Sequence, residues 1–273
     1  MIINGRKIAE EVIESLKEEI SSKNLKLQLG AVLVGDDPEF KKFVELKGKA
    51  AEKVGVDFTI YKFSEEIKTE ELIDNIKEVI EWSDGVLVEL PLPKHIDQQV
   101  VLNAVPVNKD VDVLSEKAQG LYYENKSKIN PPAVESLKIV LEENGIKIKD
   151  KTVAIFGYGN LIGKPIAHWM EVGGADVKVI RSKTENPDKI SGEADIIVSG
   201  VGKPGLITDK MVQDGVVVID FGYGKGEDGK MQGDVDFNSV LPKASLITPV
   251  PGGMGPILIT AVLKNLLKLN SKN

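Results

Sequence analysis

A lysine and a glutamate stand in this chain where apolar residues would be expected, and between them they could manage a proton or a developing charge. The helical pattern that begins near Asp37 and Pro38 has an apolar stripe of Phe40, Phe43, Val44, Ala51 and Val54, with Lys47 in its middle. The run VLVELPLP (86–93) is apolar apart from Glu89, at the carboxyl end of a strand pattern, where open α/β sheets gather their ligands. A carboxylate withdrawn from water needs a partner, and Lys47 is the obvious candidate. Blander readings stay open: Lys47 snorkels to solvent along its stem, or the two form a structural ion pair. Asp110 and Asp112, in NKDVDVL, are either part of the same chemistry or turn-formers.

A second constellation is suited to phosphate. The segment KTVAIFGYGNLIGKPIAHWM (151–170) reads as a buried strand ending in glycines and opening into a helix, which presents backbone N–H groups and a helix N-terminus to an anion. Gly157, Gly159 and Gly163 are spaced one residue wider than the usual G-x-G-x-x-G, with Pro165 early in the helix. The next strand pattern, ADVKVI, ends at Arg181, Ser182, Lys183 and Thr184, where a binder of an unphosphorylated ribose places an acid. A basic end implies extra negative charge on the ligand, hence NADP rather than NAD. A turn of small residues beside a solvated basic pair would look the same. TPVPGGMGP (248–256) has prolines and glycines that fix a rigid path and permit close approach to a flat ligand, or simply connect two elements.

These residues need elements to hold them. Strand patterns at 28–35, 56–63, 85–90, 152–157, 176–180, 195–200 and 216–222 alternate with helical patterns at 6–22, 38–54, 69–82, 134–144, 161–171 and 255–268. That alternation predicts an α/β fold with mainly parallel sheets. The 273 residues, 42% hydrophobic, suffice for two lobes. Periodicity breaks between Asn103 and Pro132, so the expected division is 1–120, joined by the last helix over 255–273, and a Rossmann-type lobe over 121–254. A net charge of −7 argues against nucleic-acid and anionic-membrane partners. The absence of cysteine excludes disulfides and thiolate metal sites and makes cytoplasm the default. His95 and His168 lack metal-ligand spacing, so no metal is expected. No apolar stretch of membrane-spanning length and no signal sequence is seen.

Taken together, VGDDPEFKKFVELKGKAAEKVG, VLVELPLP, NKDVD, GYGNLIGKP and ITPVPGGMGP resemble the methylenetetrahydrofolate dehydrogenase/cyclohydrolase family, in matching order over nearly the whole chain. The resemblance implies a two-lobed α/β homodimer that takes a folate substrate and NADP. Lys47 matches the family's catalytic lysine, and Asp112 the aspartate that binds the pterin ring. Pro251, Gly252 and Gly255 match the turn bordering the folate. Gly157, Asn160, Ile162, Gly163 and Pro165 align with the dinucleotide loop, and Arg181 and Ser182 with the segment that meets the ribose phosphate.

The chain also departs from the family pattern. Phe43 replaces a tyrosine one turn before the lysine, Glu89 a glutamine, and Val113 a glycine, while PPAV replaces P-C-T-P around Pro131. Tyr158 and Gly159 occupy loop positions often held by arginine and serine, and Arg181 stands where many relatives have histidine. The resemblance therefore implies NADP-dependent oxidation of 5,10-methylenetetrahydrofolate, with Glu89 favouring the cationic product and Phe43 packing on the folate ring. Hydrolysis of the methenyl product is expected to be weakened, because a carboxylate beside Lys47 keeps its proton on and Phe43 cannot relay one. A dehydrogenase of another small substrate on this fold, or a binding protein without catalysis, remain alternatives.

Overall fold

The computed structural model describes residues 1–226 and 229–271, which group into two compact units. One, here the Lys47 unit, comprises Glu10–Pro132 and the chain from Ile259 on; the other, the glycine-loop unit, comprises Met1–Ala9 and Ala133–Leu258.

The Lys47 unit is built on three parallel strands, β1 (Gln28–Val34), β2 (Asp57–Phe63) and β3 (Gly85–Val88), in the order β2-β1-β3. The central strand is buried at every position after Gln28, as a parallel strand covered on both faces must be. Its alternation divides the core. Leu29, Ala31 and Leu33 pack with α1 (Gly5–Ser22), α2 (Pro38–Val54) and the later turns of α10 (Met254–Asn270), through Ile13, Leu16, Val44, Ala51 and Leu266. Val32 and Val34 pack with Leu72, Ile76 and Val79 of α3 (Thr69–Trp82) and with Val101 of α4 (Gln98–Asn103). The helix α5 (Glu116–Tyr123) follows.

The glycine-loop unit carries α6 (Pro132–Glu143), β4 (Thr152–Phe156), α7 (Gly163–Val172), β5 (Asp176–Ile180), α8 (Pro187–Ser191), β6 (Ile196–Ser199), β7 (Val217–Asp220), the strand pair β8 (Gly224–Lys225) and β9 (Met231–Gln232), α9 (Phe237–Val240), and β10 (Leu246–Ile247). Five of its strands form a parallel sheet in the order β10-β7-β6-β4-β5. The chain leaves β4 for β5 on one side and returns to β6 on the other. That reversal is the switch point at which doubly wound sheets open a crevice beyond their strand ends.

Three boundaries differ from the sequence expectation, the last of them falling after Leu258 rather than after residue 254. The first nine residues group with the glycine-loop unit, because Ile3 N–H donates to Ile247 O at 2.9 Å and Gly5 N–H to Gly252 O at 3.0 Å. The later division falls after Pro132 rather than after residue 120, since Asn265 Nδ2 donates to Asn130 O at 2.8 Å within the Lys47 unit. The aperiodic stretch also contains α5, whose sequence EKAQGLYY carries a central glycine and only a weak apolar stripe. Among the described residues no helix is long and apolar enough to cross a membrane.

Candidate active site

Lys47 sits three turns into α2, one turn after Phe43, and its ammonium Nζ donates to Glu89 Oε1 at 2.6 Å. Glu89 directly follows β3, and its N–H donates to Val32 O at 2.9 Å, so the sheet fixes its backbone. The two side chains are 19% and 10% exposed, which excludes the snorkelling reading: Lys47 spends its charge on a carboxylate, not on bulk water. Phe43 is half-buried on the same helix face.

Asp112 joins this pair electrostatically. Burial pushes its carboxyl up to about 7; the Lys47 charge opposes the shift, and the Glu89 and Asp110 charges add to it. Part of the residue surface nevertheless remains accessible. Its two-residue neighbour has a different task. Asp110, 3% exposed, accepts hydrogen bonds from Leu114 N–H, Ser115 N–H and Ser115 Oγ, the last two at 2.8 and 2.7 Å. Asp110 thus ties the turn, whereas no such donors surround the Asp112 carboxylate among the described residues. Between them and Leu114, Val113 is buried with φ at 58°, a region that β-branched residues avoid. The turn holds it there at a cost of about 1–3 kcal/mol. Asn265, fully buried in α10, donates from Nδ2 to Val111 O at 2.9 Å and clamps the other flank. Neither the clamp nor the division of labour between the aspartates can be read from spacing.

In the glycine-loop unit, Gly157 follows β4 with φ at 89°, and a Cβ added at Gly163 would lie 2.2 Å from Gly157 O. Glycine is therefore required at both positions by backbone geometry. Tyr158, Gly159 and Asn160 are exposed on the loop, and Ile162 is the N-cap of α7 without any side-chain cap; Lys164 N–H donates to Gly159 O at 3.0 Å and Pro165 has no N–H, so the Gly163 N–H is what the helix start can offer an anion. Arg181 lies just past β5 with its guanidinium carbon 4.4 Å from the centre of the Tyr158 ring. Ser182 is exposed beside it. An uncapped helix start, a tight glycine turn at a switch point and a cation at the next strand end fit a dinucleotide with a phosphorylated ribose.

The turn before α10 holds Pro251 and Gly252, with φ at 98° for Gly252; Gly255 lies in the first turn of the helix. A Cβ at Gly5 would come within 1.8 Å of Gly253 O, so the start of α1 seats this turn. That support has no local signal in the sequence, and two buried aspartates lie outside the sequence expectation. Asp220, at the end of β7, is pushed up to about 6 by burial, although it accepts from the N–H groups of Gly222, Asp234 and Val235. Asp234, fully buried, accepts from Ser199 Oγ at 2.6 Å, Val201 N–H at 2.7 Å and Lys203 N–H at 2.6 Å, holding the loop after β6. Among the described residues no group of histidine, aspartate or glutamate could hold a metal ion.

Residues 3–112 match the model of the tetrahydrofolate dehydrogenase/cyclohydrolase catalytic domain, and residues 131–273 that of the same family's NAD(P)-binding domain. The bifunctional protein FolD of Nautilia profundicola is 40% identical over 272 residues, covering 98% of this chain and 96% of its own. The crystal structure of the bifunctional FolD methylenetetrahydrofolate dehydrogenase/cyclohydrolase from Campylobacter jejuni superposes with a TM-score of 0.94 at 34% identity, over 98% of both chains. The Trypanosoma brucei enzyme, complexed with NADP cofactor and an inhibitor, does so with a TM-score of 0.93 at 30% identity, over 98% of this chain and 96% of its own. Two domain models in the right order and relatives matched over nearly their whole length leave one conclusion: this chain belongs to the tetrahydrofolate dehydrogenase/cyclohydrolase family.

Proposed function

We propose that this protein oxidises 5,10-methylenetetrahydrofolate to 5,10-methenyltetrahydrofolate with NADP⁺, and that its hydrolysis of the product to 10-formyltetrahydrofolate is weak. The observation that carries the second half is the 2.6 Å ion pair between Lys47 and Glu89. NADP⁺, when bound, accepts the hydride that leaves the methylene carbon, whose two flanking nitrogens stabilise the cation left behind. No protein group has to move a proton in that step, so the chain's work is orientation. In this reading Asp112 binds the polar edge of the pterin, Phe43 packs on an aromatic ring of the folate, and Pro251, Gly252 and Gly255 border it. The Glu89 carboxylate favours the cationic product.

Hydrolysis asks for more. Water must add to the cation and lose a proton, and a ring nitrogen must gain one before the ring opens. A lysine ammonium already donating to a carboxylate has no lone pair to offer the attacking water, and Phe43 has no hydroxyl to relay a proton. On the cofactor side, Gly157, Gly159, Asn160, Ile162 and Gly163 cradle the pyrophosphate at the start of α7, with Tyr158, Arg181 and Ser182 toward the ribose. We further place the protein, as a homodimer, in cytoplasmic one-carbon metabolism supplying purine synthesis, a reading supported by its family and its lack of cysteine.

The test follows NADPH and methenyltetrahydrofolate separately, with NAD and NADP compared, in the wild type and in the double variant Phe43→Tyr with Glu89→Gln. The double variant should raise hydrolysis by about a hundred-fold or more while changing dehydrogenation far less, the span expected of general acid–base catalysis. Equal changes in both rates, or none, would refute the roles assigned to positions 43 and 89.

A further inference from the structure

The NADP reading assigns Arg181 to the ribose phosphate but does not explain how a single exposed arginine at a strand end discriminates. The geometry around it does. Gly157 N–H donates to Ile180 O at 2.9 Å, which places the first loop residue beside the end of β5 and sets Tyr158 next to Arg181. The turn after the strand is closed on both sides: Arg181 N–H donates to Thr184 Oγ1 at 2.9 Å, and Thr184 N–H to Arg181 O at 3.0 Å. The guanidinium then lies over the Tyr158 ring at 4.4 Å, and among the described residues it forms no ion pair. Tyr158, 40% exposed as a residue, thus has the guanidinium over its ring and solvent around it. Stacking on a ring face leaves the edge of the guanidinium, with its N–H groups, available for two parallel hydrogen bonds to an anion.

Resting on the NADP reading, we propose that Tyr158 is the positioning residue for cofactor selectivity: its ring holds the Arg181 guanidinium in place for a ribose 2′-phosphate. Arginine carries much rotamer freedom, and a side chain already stacked loses less of it when the phosphate arrives. The stack makes no demand on a nucleotide lacking that phosphate, so its effect falls on the difference between the two cofactors.

Calorimetric titration with adenosine 2′,5′-bisphosphate and with adenosine 5′-monophosphate isolates that difference, since the two ligands differ only in the 2′-phosphate. Wild type should bind the bisphosphate more tightly. Tyr158→Leu should lower the ratio of affinities about two- to five-fold, as loss of a solvent-exposed cation–π contact does, and leave the monophosphate unchanged. Tyr158→Phe should keep the wild-type ratio, and Arg181→Gln should lower it about ten-fold or more. Equal weakening of both ligands in Tyr158→Leu would mean that the ring is a platform for adenine and would overturn the proposal, as would an unchanged ratio. If the wild type binds the two nucleotides equally, the NADP reading itself fails and takes the proposal with it. Melting temperatures of the variants within error of the wild type confirm that each remains folded.

Discussion

Asp112→Asn should make the protein more stable while impairing it as an enzyme, and the pH at which the gain appears follows from the burial of the side chain. In the folded protein the carboxyl titrates near 7 against 3.8 for the free group, because burial disfavours the charged form more than Lys47 favours it. For an acid shifted upward, the contribution to stability is fully present below the unfolded value and is lost as pH rises through the folded one. The wild type therefore surrenders stability between about pH 4 and pH 7. A gap of about three pH units at ~1.4 kcal/mol each is on the order of 4 kcal/mol. Asparagine keeps the shape and does not titrate. Paired thermal or urea unfolding of the two proteins should nearly coincide near pH 4 and separate progressively, by up to roughly 10 °C in melting temperature above pH 7. Using the difference between the proteins cancels the carboxylates remote from Asp112 and leaves Asp112 with its coupled neighbours Glu89 and Asp110. The same substitution removes the proposed acceptor for the pterin, so affinity for methylenetetrahydrofolate should fall. A constant offset at every pH, or a wild type more stable than the variant at pH 8, would show that the carboxylate is held by its neighbours and that burial does not set its titration.

Two further substitutions test the supporting geometry. Gly163→Ala places a methyl group 2.2 Å from Gly157 O, so the loop must open. NADP binding measured by fluorescence titration should be lost or fall by at least about ten-fold, while the Lys47 unit keeps its own packing; near-normal binding would contradict the loop as the phosphate cradle. Asp234→Ala strips the acceptor from Ser199 Oγ and from two backbone N–H groups in a fully buried setting. It should cost about 3 kcal/mol or more by denaturant unfolding, from the unsatisfied donors left behind. A loss below ~1 kcal/mol would mean that water takes over the bonds.

The reason some of this was legible in the sequence and some was not is the distance over which each signal acts. Long amphipathic helices such as α2 and α3, and the buried strands β1 and β4, declare themselves by periodicity, because every turn or pleat repeats the same contrast between core and solvent. The short elements do not: β10 has two residues, α9 four, and α5 only a weak apolar stripe, so their existence depends on neighbours that no local window contains. Lys47 and Glu89 were visible as charges in apolar runs. Asp220 breaks its run VVVID in the same manner, and burial shifts its titration too.

Charge in an apolar run thus marks a residue as consequential without saying whether it serves a ligand or the fold, and the number of donors around it bears on which. Asp110, Asp220 and Asp234 each accept three or more hydrogen bonds from backbone or serine groups nearby and are consumed by them. Glu89 has the single donor Lys47, and among the described residues Asp112 has no hydrogen-bonding partner on its carboxylate. A buried acid whose partners are all in place has finished its work when the chain folds. One whose oxygens keep part of their surface and have no donor from the chain can offer them to a ligand, and on that ground we propose Asp112, and not the aspartate two residues before it, as the folate-binding acid.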